Sequence, residues 1–363
     1  MVHSGIAIVI GTKAELIKCM PLMIEFQEQC RDYWFIHTGQ HPLGKACEEF
    51  GIKKPDFTLS PEPEKTTKFW SITNQTSISW FFLMIFKIRR LLGKMKPKYV
   101  IYHGDTMSTA AAAIASSKLL NPLKKWKNVH LEAGLRSGSL FEPFPEEISR
   151  QISDRFSDIL LAVSGMTERN LRKEYPGKRV IRVGNTIIDS SKKIYEEAKK
   201  KFKKEKEEYV LINIHRHEHL VRERNLGKIV DIINSIKSRG IWPLHDNTEY
   251  HLKKYGLFDK INREKIKITS LKSYDEFIFL LANCKYLITD GGSIQEESLV
   301  FKKPCVILRN RTERQEGLKT GLNFLTMDIG EARETIKMLE RGKGIENPYG
   351  EKDVSKKISE ILR

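Results

Sequence analysis

The residues with the most chemistry to offer are acidic positions that follow short runs of β-branched and aromatic residues. Tyr99 to His103 runs into Gly104-Asp105-Thr106, and Asn128 to Leu131 runs into Glu132-Ala133-Gly134-Leu135-Arg136-Ser137. A third segment, Glu142-Pro143-Phe144-Pro145-Glu146-Glu147, opens a helical stretch that carries Arg150 and Asp154. A carboxylate at the end of a buried strand is poorly solvated, which raises its pKa and suits it to moving protons. Simpler roles compete. Asp105 can cap a helix, and the helix dipole explains one of Glu146 and Glu147 in a first turn. No histidine-rich ligand spacing accompanies these acids, so a metal site is not expected.

Other segments point to an anionic ligand. The run Tyr209 to Ile214 ends in His215-Arg216-His217-Glu218-His219, whose alternating histidines lack the four-residue spacing of a helical zinc motif. Histidine and arginine there suit phosphate instead. In Thr289-Asp290-Gly291-Gly292-Ser293-Ile294-Gln295-Glu296-Glu297, a strand, two glycines and a helix form a diphosphate cradle from backbone N–H groups. A glutamate one turn into that helix can accept both hydroxyls of a ribose. The next strand ends in Arg309-Asn310-Arg311-Thr312-Glu313-Arg314-Gln315-Glu316-Gly317, which adds polar groups at the same edge. Gly11-Thr12-Lys13-Ala14-Glu15, with Lys18 one turn on, follows the first strand but is no dinucleotide fingerprint.

The elements that must position these groups alternate. Ile6 to Ile10, Trp34 to His37, Tyr99 to His103, Asn128 to Leu131, Asp158 to Val163 and Val180 to Val183 read as buried strands, with helical spacing between most of them. The scheme repeats at Tyr209 to Ile214, Ile241 to Leu244, Ile266 to Thr269, Tyr286 to Thr289 and Cys305 to Leu308. Parallel strands need crossover helices, so the expected class is α/β: two doubly wound, Rossmann-like domains. Their boundaries are expected at residues 1–186 and 187–363, with the final helix, Val354 to Leu362, free to pack back on the first. Ligands in such sheets bind beyond the carboxyl ends of the strands, where the polar residues gather.

The 363 residues are 40% hydrophobic with 9% aromatics, enough for two ordinary cores. Five scattered cysteines without a Cys-x-x-Cys pair suggest free thiols in a reducing compartment. No secretory leader is evident, so a cytoplasmic location is expected. The most apolar run, Ile78 to Ile88, falls short of the roughly 20 residues that span a bilayer. It should form a helix covered on both sides, with a second subunit a candidate for the cover. The formal net charge of +17 raises nucleic acid as a partner. The excess is spread out, however, and its densest run, Lys192 to Glu208, reads as a solvated helix with i,i+4 pairs. Neither nucleic acid nor membrane insertion is expected.

At this point the sequence resembles the non-hydrolysing UDP-N-acetylglucosamine 2-epimerase family. The motifs GTKAELIK, HTGQH, HGDT, HLEAGLRSG, PFPEEISRQISD, VGNTIID, the His215 segment, TDGGSIQEE and RTERQEG occur in order along nearly the whole chain. The resemblance implies a glycosyltransferase-B-like pair of domains with a ligand cleft between them, a homodimer, a UDP-sugar substrate and no required cofactor. It implies that a base removes the sugar's C2 proton while UDP leaves C1. The resulting 2-acetamidoglucal regains a proton on the opposite face and UDP at C1. On this mapping Asp105, Glu132 and Glu146 are the acid–base candidates, and His215 acts near the sugar and diphosphate. Lys13, Lys18 and Arg136 join the substrate side, Gly292 and Ser293 hold phosphate, Glu297 the ribose, and Arg314 shapes the UDP pocket.

Departures cluster around recognition. Lys13-Ala14 stands where the family has Arg-Pro, and Asp290-Gly291-Gly292-Ser293 where it has Asp-Ser-Gly-Gly. His245-Asp246 replaces His-Pro, and His217 replaces a basic residue. A modified UDP-N-acetylhexosamine is therefore a second candidate substrate. Two other outcomes share the architecture: a hydrolysing epimerase that releases free sugar and UDP, and a retaining UDP-sugar glycosyltransferase.

Overall fold

The computed structural model describes residues 5–61, 75–139, 144–339, 349 and 352–363. Glu142 and Pro143 of the third acidic segment lie outside the described residues. The first sheet is built from β1 (Ile6–Ile10), β2 (Tyr33–His37), β3 (Phe57–Thr58), β4 (Tyr99–His103), β5 (Lys127–Ala133), β6 (Ile159–Ala162) and β7 (Arg179–Arg182). The second contains β8 (Tyr209–Asn213), β9 (Arg239–Leu244), β10 (Ile266–Ser270), β11 (Leu287–Thr289), β12 (Cys305–Ile307) and β13 (Asn323–Leu325). Their orders are β3-β2-β1-β4-β5-β6-β7 and β10-β9-β8-β11-β12-β13, and the pairings are parallel. This is the expected α/β, doubly wound architecture, present twice.

The strands form where apolar β-branched residues run together because both faces of each sheet are covered. Every residue of β1 and of β8 is buried, which leaves no polar alternation to read. The sequence reading places the long strands to within a few residues and misses β3 and β13. Both are short edge strands: β3 is two exposed residues and β13 only three, too few to stand out as an apolar run.

Two compact units result: Met1–Ser190 with Lys352–Arg363, and Ser191–Glu351. The last helix, Val354–Ile361, is tied into the first unit. Arg31 donates to the carbonyls of Ser359 and Leu362 at 2.9 and 2.7 Å, and the Ser355 N–H donates to Asp189 at 2.7 Å.

Two expectations need correction. The helix Gln75–Met95 buries Trp80, Met84, Ile85, Ile88 and Leu92 in the first core, but Ile78, Phe82, Leu83 and Phe86 are exposed. Apolar residues surround this helix, yet one chain covers a single face of it. The charged helix spans Ile187–Lys201 rather than continuing to Glu208, and its Glu196–Lys199 and Glu197–Lys200 pairs are at i,i+3.

Candidate functional site

In the first unit the strand order reverses between β1 and β4, and the polar groups gather at the carboxyl ends of β1, β4 and β5. The turn after β1 is fixed by a capping box: Thr12 caps the helix Lys13–Glu28, and Glu15 answers from its third position. The carboxylate of Glu15 accepts the N–H groups of Gly11 and Thr12 at 2.8 and 2.7 Å, and the hydroxyls of Thr106 and Thr109 each at 2.6 Å. Burial pushes its pKa up although these donors oppose the shift. Glu15 therefore ties the β1 turn to the start of the helix Met107–Ser116, and so to Asp105 just before it. Gly11 must be glycine here, because a Cβ would lie 1.9 Å from Ser108 Oγ.

Glu132 ends β5 in an unusual way. The pairing of β5 with β6 shifts between Leu131 and Ala133, and Glu132 has a φ of 63°. A left-handed, non-glycine residue in a bulge is strained, and such bulges re-aim a side chain away from the ladder. Its carboxylate pairs with Lys18, and the two side chains are each 4% exposed. His103 Nε2 lies 3.7 Å away. A small cavity adjoins Glu132 and His103 and is lined further by Asn185, Thr186 and Ile358 of the last helix.

Asp105 is held by Arg150, which also binds Glu147 at 2.5 Å. Arg150 is 1% exposed, so a cation sits beneath the half-buried aspartate. The neighbouring glutamates divide. Glu147 turns inward to Arg150 and to the Ser137 N–H at 3.1 Å, whereas Glu146 is half-buried in the first turn of the helix Glu146–Phe156.

Arg136, expected on the substrate side, is ion-paired: its guanidinium lies 2.7 Å from Asp154 Oδ2 and 2.5 Å from Glu174 Oε2. Burial works to lower its pKa, but these carboxylates outweigh it and the pKa rises. Asp154 also faces His130 Nδ1 at 2.7 Å, and His130 Nε2 lies 2.8 Å from the Gly104 carbonyl. That ring therefore anchors the residue preceding Asp105. Burial opposes ionisation of Asp154, yet His130 and Arg136 hold its pKa below the usual carboxylate range. Lys13 is exposed at the first position of its helix.

The second unit presents its groups differently. The carboxylate of Asp290, fully buried, accepts the N–H groups of His215 at 3.0 Å and Arg216 at 2.9 Å. His215 Nδ1 lies 3.0 Å from Asn213 Oδ1, and its ring centroid is 5.1 Å from that of His245. One edge of His215 stays open, with 39% of the side chain exposed. Burial of the rest and the Arg216 cation push its pKa down to about 4.

In the Gly291-Gly292-Ser293 turn, the Gly291 N–H already donates to Thr289 Oγ1 at 2.9 Å, so the expected cradle reduces to Gly292 and Ser293. A Cβ at Gly291 would stand 2.9 Å from Ile294 Cγ2 and 3.1 Å from His215 Cε1. This crowding explains glycine where the family has serine. Ser293 precedes the helix Ile294–Val300 without capping it through its side chain. That helix is only 7 residues long, so its dipole adds little to the backbone amides. Arg314 is 4% exposed and is held by Glu313 and, at 3.2 Å, by Glu296 Oε2. Glu297 accepts a hydrogen bond from Tyr274 Oη at 2.7 Å.

The fold thus joins Lys18 with Glu132, and Asp105 with Arg150. It gathers His215, Gly292, Ser293, Glu297 and Arg314 around the carboxyl ends of β8, β11 and β12. Glu15, His103, His130, Arg150 and Tyr274 are site-supporting residues that had no assigned role in the sequence. Glu15 was legible as the last residue of a Thr-x-x-Glu capping box. Among the described residues, no group of three histidines, cysteines or acids could hold a metal ion.

The sequence model described as UDP-N-acetylglucosamine 2-epimerase matches residues 25–363. The UDP-N-acetylglucosamine 2-epimerase of Methanococcus maripaludis is 34% identical over 98% of each chain. The UDP-2,3-diacetamido-2,3-dideoxy-D-glucuronate 2-epimerase of Pseudomonas aeruginosa is 31% identical, again over 98% of each. A crystal structure of the Methanocaldococcus jannaschii UDP-GlcNAc 2-epimerase in complex with UDP-GlcNAc and UDP superposes with a TM-score of 0.83. The two are 30% identical over 98% of this chain and 99% of that one.

Proposed function

The chain belongs to the UDP-N-acetylglucosamine 2-epimerase family, and from that premise we propose how its two units share the work of an isomerase. The substrate pair in this reading is UDP-N-acetylglucosamine and UDP-N-acetylmannosamine. Groups of the first unit handle C2 of the sugar; groups of the second hold UDP.

The observation that carries this reading is the pair of ion-paired carboxylates at adjacent strand ends, Glu132 with Lys18 and Asp105 with Arg150. Inversion at C2 needs one group to take the proton and another to return one on the opposite face. Two separately held carboxylates supply such a pair, and Glu146, half-buried, is the third acid of the set. The electron pair left at C2 forms the C1–C2 double bond as the C1–O bond breaks, so UDP leaves with its electrons and 2-acetamidoglucal remains. Contacts from Gly292, Ser293 and His215 that strengthen as charge builds on the departing diphosphate stabilise this step. Lys13, Lys18, Arg136 and Arg314 complete the binding set. Arg136 and Arg314 do so by shaping the site, since both are already ion-paired.

A modified UDP-N-acetylhexosamine is the second reading. Similarity to an epimerase of a 2,3-diacetamido sugar favours it. We further propose a homodimer in which a second copy covers Ile78, Phe82 and Phe86, a stripe at helical spacing that one chain leaves exposed. Among the described residues no helix is long and apolar enough to cross a membrane. Our reading places the enzyme in the cytoplasm, supplying a nucleotide sugar for polysaccharide biosynthesis.

The deciding experiment follows UDP-N-acetylglucosamine and its 3-acetamido relative by NMR in deuterated water. Deuterium at C2 of both epimers, with UDP still attached at equilibrium, is expected. Stoichiometric release of free sugar and UDP would identify a hydrolysing enzyme, and turnover without C2 exchange a glycosyltransferase.

A further inference from the structure

Adjacent glutamates on the helix Ile294–Val300 have different partners. Glu296 Oε2 lies 3.2 Å from Arg314 Nε, a full cation. Glu297 receives a hydrogen bond from a neutral phenol, Tyr274 Oη, at 2.7 Å on Oε1, and is itself only 4% exposed. Tyr274 opens the helix Tyr274–Asn283, directly after the segment that follows β10.

We propose that Tyr274 is a positioning residue for the nucleotide: its hydroxyl fixes the Glu297 carboxylate in the orientation that receives the 2′- and 3′-hydroxyls of the ribose. This rests on the reading of Glu297 as the ribose ligand. A vicinal diol offers two donors side by side and needs two acceptor positions facing it. The last torsion of a glutamate is broad and nearly two-fold, so a carboxylate without a fixed donor can rotate away from that alignment. A donor on Oε1 limits that rotation, and a carboxylate oxygen that accepts one hydrogen bond keeps a second lone pair for another donor. A phenol brings no charge of its own to the carboxylate, so it orients Glu297 without neutralising it. Burial, followed by the charge of Glu297, pushes the Tyr274 pKa up, so the phenol stays a donor at any working pH.

The test is calorimetric titration of the full-length enzyme with UDP and with 2′-deoxy-UDP, in wild type, Tyr274→Phe, Glu297→Gln and the double variant. Phenylalanine keeps the ring and removes only the donor. Tyr274→Phe should weaken UDP about tenfold, as for loss of a hydrogen bond to a charged group, and leave 2′-deoxy-UDP nearly unchanged. The preference for UDP should therefore collapse. KM for the UDP-sugar should rise about tenfold while kcat stays within about twofold, because ribose contacts are made in ground and transition states alike. In the Glu297→Gln background, Tyr274→Phe should change nothing further. An unchanged preference in Tyr274→Phe, an equal weakening of both nucleotides, or additive effects in the double variant would each overturn the proposal. If Glu297→Gln alone keeps the preference for UDP, it is the ribose reading of Glu297 that fails.

Discussion

The two units solve one problem, presenting polar groups at the carboxyl edge of a parallel sheet, by opposite means. In the first unit two of the three candidate acids are buried or half-buried carboxylates held by cations: Glu132 by Lys18 and Asp105 by Arg150. In the second unit the candidate diphosphate groups are the backbone of Gly292 and Ser293 and a histidine whose pKa lies low, and the buried carboxylate Asp290 binds N–H groups of the chain itself. The difference fits the proposed division of work. A proton transfer needs a side chain held at a fixed position, and the ion pairs with Lys18 and Arg150 hold Glu132 and Asp105 in place. A diphosphate needs donors that do not change at all, and backbone amides cannot titrate or rotate away.

The largest expected effect falls on the acids. Asp105→Asn or Glu132→Gln should slow C2 deuterium exchange by about a thousandfold or more, in the range lost with a general acid or base. UDP affinity, measured by calorimetry, should stay within about threefold. Normal exchange in Asp105→Asn would remove that residue from the chemistry and leave the contrast between units resting on Glu132 alone.

A smaller, mixed effect is expected at Lys18. Lys18→Met leaves Glu132 buried without its cation, which costs about 3–5 kcal/mol of stability where a buried pair is broken. Urea unfolding should show most of that loss, and Glu132→Gln added to Lys18→Met should restore part of it. Additive losses would mean that the pair is not coupled and that the first unit does not depend on paired charge.

The smallest effect belongs to His215. Its folded pKa is lowered to about 4 against an ordinary 6.5, so below pH 6.5 the unfolded chain binds the proton more readily. Stability contributed by the neutral ring is complete above pH 6.5 and is lost as pH falls toward 4. His215→Gln should therefore lose less Tm between pH 6.5 and 4.5 than wild type, by a small margin because the ring is partly exposed. A parallel fall in both proteins would show that this ring is not held neutral.

Legibility differed between the units for related reasons. The run Tyr99 to His103 followed by Gly-Asp is a complete local signal, and the structure puts strand, turn and acid where that signal places them. The pairing of Asp105 with Arg150 spans 45 positions, and that of Glu132 with Lys18 spans 114, so no local pattern could announce either. Arg136 shows the reverse. It sits in a motif of apparent substrate residues, yet its guanidinium is directed to Asp154 and Glu174.

By itself the sequence determined the alternation of strands and helices, the polar strand ends, and the ordered motifs that point to the family. These depend on local hydrophobic runs, turn residues and residue order along the chain. Only the tertiary structure decided which carboxylate meets which cation, and that Glu132 leaves its ladder through a left-handed bulge. It also decided that Gly291 has no room for a side chain and that Tyr274 turns to Glu297. Those outcomes depend on contacts between segments far apart in the chain, and burial gives each a weight that no single segment carries alone.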